Sequence, residues 1–228
     1  MVEGIVLKHI KYKESSQIIY IYTSNGLKSV LVHGGSKLKS PYLNLVRVFS
    51  YVRLFVSGKD LKTLRDGETV RHYDKISKDI ETYTYTSHLM ELIYHFANHN
   101  HDHEKLLQFL LKIPDKIETS KDYIVYIMMV ELKLLYLLGV QPFLKQCVLC
   151  GKTDKLSFSI KDGGMICPLH VNNNAFKAST IVLLKTLYYF NLENGQNISF
   201  NQEDLVELRL VIDQYYLYHL NFQSKSRQ

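Results

Sequence analysis

The chain has no uninterrupted apolar stretch approaching about 18 residues, and its opening, MVEGIVLKHIKYKESS, lacks the long apolar core of a signal peptide. A soluble, cytoplasmic protein that does not enter membranes is therefore expected. No G-x-x-x-x-G-K-[S/T] loop is present to cradle phosphates, and no G-x-S-x-G elbow carries a nucleophile. Carboxylates are sparse near the N-terminus: Asp60, Asp66, Glu68 and Asp74 form the one cluster there, placed around turns where solvated side chains are normal. Without a second, magnesium-type constellation a nuclease has little to build on, so the chain is expected not to be an enzyme. Cysteine is scarce as well, with three residues in 228.

Those three are not scattered. Cys147 and Cys150 stand in CVLCG, and Cys167 and His170 in CPLH, so one C-x2-C-x16-C-x2-H pattern uses every cysteine. Two tight ligand pairs brought together by a hairpin supply the four donors of a tetrahedral Zn2+, bound at roughly 2.0–2.3 Å. Four protein ligands leave no open position for water or substrate, so a single structural zinc is expected, with no catalytic role. Thiolate ligation also suits a reducing compartment.

Charge divides the chain. Residues 1–78 hold 14 Lys+Arg against 6 Asp+Glu, a balance of +8, whereas residues 79–228 hold 14 against 16, a balance of −2. A basic module that asks for a polyanionic partner is thus joined to a near-neutral one.

The basic module reads as β. GIVLKHI, QIIYIYT, LKSVLVH, VRVFSYVRLFVS and the region around LKTLRD are short runs rich in Val, Ile, Tyr and Phe, separated by turn signals at Ser24-Asn25-Gly26, Gly34-Gly35-Ser36, Ser57-Gly58 and Asp66-Gly67. Five short strands in under about 80 residues fit a small closed barrel of the OB-fold kind, because closure removes unprotected edges. In the loop GGSKLKSPY, Lys37, Lys39 and Tyr42 follow a glycine turn, a pairing of cations and ring that suits unpaired nucleotides. Arg47 and Arg53 lie six residues apart along the next extended segment, where strand alternation could put them on one face. Lys8, Lys11 and Lys13 add charge near the first turn. Any one lysine reads equally well as a solvated surface charge; the cluster makes the DNA-binding expectation.

From Asp79 the period becomes helical. ETYTYTSHLMELIYHFANH, EKLLQFLLKI, DYIVYIMMVELKLLYLLG, TIVLLKTLYYFNL and DLVELRLVIDQYYLYHL place apolar residues three and four apart. Gly139 and Pro142 should end the third of these helices, and Gly163-Gly164 should turn the chain back toward Cys167. The expected fold is α+β: a five-stranded OB-fold barrel over 1–78, then an all-helical domain over 79–228 with an inserted zinc-binding loop at about 143–173. Tyr215, Tyr216 and Tyr218 read as core or subdomain contacts, and His88 and His95 as core histidines. The tract NHNHDHEK, with His99, His101 and His103, reads as a polar loop in preference to a second metal site.

GIVLKHIKYKESSQIIYIYTSNGLKSVLVHGGSKLKS, ELKLLYLLGVQPFLKQCVLCG and GGMICPLH, in this order, resemble the RecO family of bacterial DNA repair and recombination proteins. The resemblance runs from Gly4 to about His170, and the last helices match only in character. Some members lack the zinc cysteines and others use a fourth cysteine; here His170 takes that position. What the resemblance implies is an OB-fold that binds single- and double-stranded DNA and a protein that anneals complementary strands. With RecR, such a protein helps load RecA onto DNA coated by single-stranded DNA-binding protein, whose acidic C-terminal tail it contacts. RecA is then an indirect partner and the setting is the nucleoid. A zinc-stabilised RNA-binding or adaptor protein is the alternative that the residues alone leave open.

Overall fold

The computed structural model describes residues 1–99, 102–170, 176–192 and 198–225. The chain packs as two compact units, Met1–Ile124 joined by Ser224 and Lys225, and Val125–Gln223.

Strands β1 (Val2–Tyr12), β2 (Ser16–Thr23), β3 (Gly26–Val32), β4 (Tyr51–Ser57) and β5 (Lys62–Arg71) close into a barrel in the order β1-β2-β3-β5-β4, with β4 returning to β1. All pairings are antiparallel except the short β3–β5 contact, where Val30 and Leu31 face Lys62 and Thr63. This is the five-stranded OB-like barrel that the alternation of residues implies. Inward positions Val6, Ile19, Ile21, Val30, Val32, Val52, Leu54 and Leu64 fill the barrel together with Leu45 and Val46.

Leu45 and Val46 come from the long connection between β3 and β4, and they correct one expectation. VRVFSYVRLFVS is not one strand: residues 41–50 are turns and β4 begins at Tyr51. The apolar residues of the connection drop into the barrel as a plug, and Phe49 takes φ +72°, which no extended strand allows. Its backbone is stitched to β1 by Phe49 N–H to Val6 O (2.9 Å) and Val6 N–H to Ser50 O (3.0 Å).

Helices α1 (Asp74–Lys78), α2 (Ile80–Phe96) and α3 (His103–Thr119) belong to the same unit. Asp79 caps α2 by accepting from Thr82 N–H (2.8 Å), and Asp102 caps α3 through Lys105 N–H (3.1 Å). Edge-to-face pairs Tyr20–Tyr94, Phe49–Tyr83 and Tyr22–His103 join α2 and α3 to the barrel and its plug connection. The change from β to helical periodicity near residue 79 and the division between packing units after Ile124 therefore fall at different places in the chain.

The second unit contains most of α4 (Tyr123–Leu137), the hairpin β6 (Ser157–Ser159) and β7 (Gly164–Ile166), α5 (Ala178–Tyr189) and α6 (Gln202–Leu220). Helix α4 ends as its sequence implies: Gly139 adopts φ +74°, and the N–H of Val140 returns to Leu135 O (3.0 Å). Fully buried Glu131 on α4 pairs with Arg209 of α6, which also reaches Asp213 (2.8 Å). The Tyr216 hydroxyl donates to Glu131 O (2.7 Å), and Lys133 Nζ donates to Tyr188 O (2.7 Å), so α4 is tied to both α6 and α5. Tyr215 and Tyr216 are core residues; Tyr218 is exposed instead and lines a groove with Phe158, Phe176 and Leu217. Among the described residues no helix is long and apolar enough to cross a membrane.

Candidate metal centre and nucleic-acid interface

The sulfur atoms of Cys147, Cys150 and Cys167 and a ring nitrogen of His170 converge so that all lie within 4.8 Å of one another. Two turns deliver them. The first is the CVLCG turn, where Gly151 N–H donates to Cys147 O (2.8 Å) and Cys147 N–H to Lys152 O (2.7 Å). The second is CPLH, closed by His170 N–H to Cys167 O (2.9 Å). The β6–β7 hairpin brings the second turn to the first. Phe143 pairs with Gly164 and Val148 N–H donates to Met165 O (2.8 Å), which locks the leading segment beside β7. Glycine is required at 164, since a Cβ there would lie 2.5 Å from Phe143 O and 2.9 Å from Val148 Cγ1.

The edges of the cluster test its fit to a metal. A tetrahedral ion with metal–sulfur bonds of about 2.3 Å and metal–nitrogen bonds of about 2.0–2.1 Å has S···S edges of about 3.8 Å and S···N edges of about 3.5 Å. Here Cys150 Sγ and Cys167 Sγ are 3.6 Å apart, and His170 Nδ1 lies 3.5 Å from Cys147 Sγ and 3.4 Å from Cys167 Sγ. The three cysteines are free of disulfides. Three edges match a four-coordinate ion, and none of the six exceeds 4.8 Å, so the four residues could hold one. Electrostatics separates the two thiols of the first pair. Burial pushes the Cys147 thiol up, but backbone N–H groups of Cys167, Leu149 and Cys150 and the His170 ring prevail and bring it down to about 6. At Cys150 the N–H of Lys152 lowers the value, yet burial and the neighbouring sulfurs of Cys167 and Cys147 outweigh it, and the thiol is raised.

On the barrel, the structure gathers the predicted cations unevenly. The loop bearing Lys37 and Lys39 is bound to the β1–β2 turn, because Ser36 N–H donates to Ser15 O (3.0 Å) and Lys37 N–H closes on Gly34 O (3.1 Å). Exposed Lys11, Lys13, Lys37 and Lys39 thus belong to one end of the barrel. Lys8 is also exposed, with Nζ 4.8 Å from the centre of the Tyr94 ring on α2, a cation–π contact the sequence did not foretell. Arg47 lies on the plug connection beside β1, where His9 Nδ1 and Val46 O are 3.1 Å apart, and its guanidinium donates to His72 Nε2 (3.1 Å). Among the described residues none of these six cations has a carboxylate at ion-pair distance.

Two predicted contacts stand apart. Arg53 is on β4, not on one strand with Arg47, and bridges Glu3 of β1 (2.8 Å) and Glu68 of β5 (2.7 Å). Its hydrogen bonds hold the Glu3 carboxyl below its ordinary value, and the Tyr51 hydroxyl, partly desolvated and also donating to Glu3, is pushed up to about 12. Arg53 therefore clamps three strands. Tyr42 is half-buried and packs against the barrel core, so most of its ring is spent on the fold. Phe55, by contrast, is an exposed ring that sequence reading missed, although it lies in phase with outward Tyr51 and Arg53 along β4.

The histidines divide as well. His88 is buried, whereas His95 is exposed and stacks edge-on against Phe96, so a helical stripe misjudged it by one position on the wheel. His103 packs on the barrel, its Nδ1 2.9 Å from the Tyr22 hydroxyl, and His99 lies against Phe96. His101 is outside the described residues.

The order of parts, an OB-like barrel followed by helices that carry a Cys3His cluster, is matched by two family models that together span the chain. "Recombination protein O N terminal" covers residues 1–73, and "Recombination protein O C terminal" covers residues 77–228. The chain belongs to the RecO family. Its similarity to curated members extends end to end. The DNA repair protein RecO of Halalkalibacterium halodurans is 28% identical over 233 residues, covering 99% of this chain and 92% of that protein. That of Listeria innocua is 28% identical over 234 residues, with 99% and 91% covered. That of Bacillus cytotoxicus is 27% identical over 234 residues, with 100% and 94% covered. Both RecO modules are therefore present, and the barrel end and the metal centre fall in different ones.

Proposed function

We propose that this chain is a DNA repair and homologous recombination mediator. It binds single- and double-stranded DNA and anneals complementary strands. With RecR it helps load RecA onto DNA coated by single-stranded DNA-binding protein, whose acidic C-terminal tail it contacts. Residues 1–78 form its DNA-binding module and residues 79–228 the helical part that bears the metal insert. It acts in the cytoplasm, at the nucleoid.

The observation that carries the DNA reading is the basic end of the barrel, where Lys11 near the end of β1, Lys13 on the turn that follows, and Lys37 and Lys39 on the loop bonded to that turn carry no carboxylate partner among the described residues. Complementary strands repel through their phosphates. A surface that neutralises phosphates while leaving base edges free lowers the cost of bringing two strands together. Lys8 and Arg47 extend the charge along β1 and the plug connection. Arg53, held by Glu3 and Glu68, supports the barrel instead of touching phosphate.

The metal we assign to Cys147, Cys150, Cys167 and His170 is one zinc ion, since thiolates and imidazole are its preferred donors and these four converge within 4.8 Å of one another. Bound there, it supplies folding energy to a module in which Cys147, Ile166 and Cys167 form a small buried cluster, with Val148 and Leu156 packed against it. With all four donors from protein the site has no catalytic task, and the chain is not an enzyme: its work is exchange of binding partners. The test is annealing of complementary oligonucleotides coated with the cognate single-stranded DNA-binding protein, without nucleotide. Acceleration by this protein is expected; DNA binding without acceleration would reject the mediator role, and preference for RNA of equal length would reject the DNA assignment.

A further inference from the structure

The second unit is electrically balanced as a whole, with eight Lys+Arg and eight Asp+Glu over Val125–Gln223, but the balance is not local. Residues 143–170 hold four lysines, at 145, 152, 155 and 161, against Asp154 and Asp162. Asp162 is turned into the hairpin, where it accepts from the Ser159 hydroxyl (2.5 Å). The metal module is therefore the positive part of a neutral unit.

Its two ligand turns carry apolar side chains where polar ones would cost nothing. Between Cys147 and Cys150, Val148 packs inward on the small core while Leu149 is 56% exposed. Between Cys167 and His170, Leu169 is 74% exposed. Leu169 and Pro168 form one wall of an open cleft of about 390 Å³, and Lys152, Asp154 and Lys155 line the same cleft. An apolar wall beside two exposed lysines matches an unpaired nucleotide, whose base offers a flat face and whose phosphates offer charge. A duplex, with its bases stacked inside, can use only the lysines.

We propose that this cleft is a second nucleic-acid contact, specific for single strands, in which Leu169 and Pro168 receive a base while Lys152 and Lys155 meet the flanking phosphates. The site rests on the reading of the chain as a DNA-binding protein, and it explains why a metal-ordered knuckle leaves leucine in water. The metal's part is to hold the two turns together, not to touch the nucleotide.

The experiment compares the full-length protein with Lys152→Ala/Lys155→Ala, with Leu169→Ser, and with a barrel variant, Lys37→Ala/Lys39→Ala, by fluorescence anisotropy on oligo-dT and on a hairpin duplex. Because Lys152, Lys155 and Leu169 are exposed, the variants should keep one metal per chain and the wild-type melting curve. The double-lysine variant should lose on the order of tenfold in oligo-dT affinity, with a salt slope lower by about 1.4, that is about 0.7 for each phosphate contact on a single strand. Leu169→Ser should weaken oligo-dT binding severalfold without changing the slope, and leave the duplex alone. Metal-loaded variants with wild-type affinity and slope on oligo-dT would overturn the site while leaving the barrel reading intact. So would a variant that keeps oligo-dT but loses a poly-glutamate peptide, which would assign the cleft to an acidic protein. A wild-type protein that binds no DNA would overturn the functional reading and this site together.

Discussion

Two arginines six residues apart in sequence should behave in opposite ways when removed. Lys37, Lys39 and Arg47 are exposed, and none has a carboxylate partner among the described residues, whereas Arg53 is bound between Glu3 and Glu68. If the first three each neutralise a phosphate, Lys37→Ala/Lys39→Ala/Arg47→Ala should flatten the dependence of log affinity on log salt by about 2.1 on a single strand and about 2.7 on a duplex. Between about 50 and about 200 mM salt the wild-type protein would then lose roughly 20-fold more single-strand affinity than the variant. Arg53→Ala should leave the slope unchanged. It should instead lower the melting midpoint, because Glu3 loses the guanidinium that bridges β1, β4 and β5. Salt titrations by anisotropy and melting curves on both variants make the comparison. An Arg53 variant that loses as much slope as the triple variant, or a triple variant with an unchanged slope, would refute the assignment of the DNA surface to the loop end of the barrel.

Cys147→Ser should yield protein without bound metal and with a lower melting midpoint, read by metal analysis and calorimetry; a metal-free variant as stable as wild type would refute a structural role. Metal affinity should rise with pH. Cys150, raised above its ordinary value, keeps its proton near pH 7 and must release it on binding, while Cys147, at about 6, is already ionised and adds a further proton competitor only below that pH. Chelator competition between pH 5 and 8 should therefore show a dependence that steepens below about 6, and a pH-independent affinity would contradict it. Arg209→Met leaves fully buried Glu131 without its cation and should cost about 3–5 kcal/mol, lowering the melting midpoint by on the order of 10 °C; a change under about 1 kcal/mol would show that the pair behaves as a surface one.

The Cys3His cluster was legible because its information is local. A C-x2-C or C-x2-H spacing fixes a turn that points both donors to one side, and scarcity of cysteine left no competing partner for Cys147, Cys150 or Cys167. The barrel strands were legible from short runs of β-branched and aromatic residues bounded by turn signals, although burial does not alternate strictly along them: positions 4–7 of β1 and 30–32 of β3 are buried in succession. VRVFSYVRLFVS failed because an apolar run does not reveal whether it lies along a sheet or drops into it, and Val46 and Phe49 were already committed to the interior.

Charge pairing lay outside the sequence altogether. Glu3, Arg53 and Glu68 are up to 65 positions apart and meet only because β4 lies between β1 and β5, so no window of sequence distinguishes clamped Arg53 from open Arg47. The same holds for Tyr42, whose ring is taken up by the core, and for Lys8, whose partner Tyr94 comes from α2. Residue types and short spacings determined which chemistries this protein possesses, a basic barrel and a Cys3His centre. Closure of the barrel decided which of its cations remain open to a polyanion, because ion pairing and burial depend on distances in space that the order of residues does not contain.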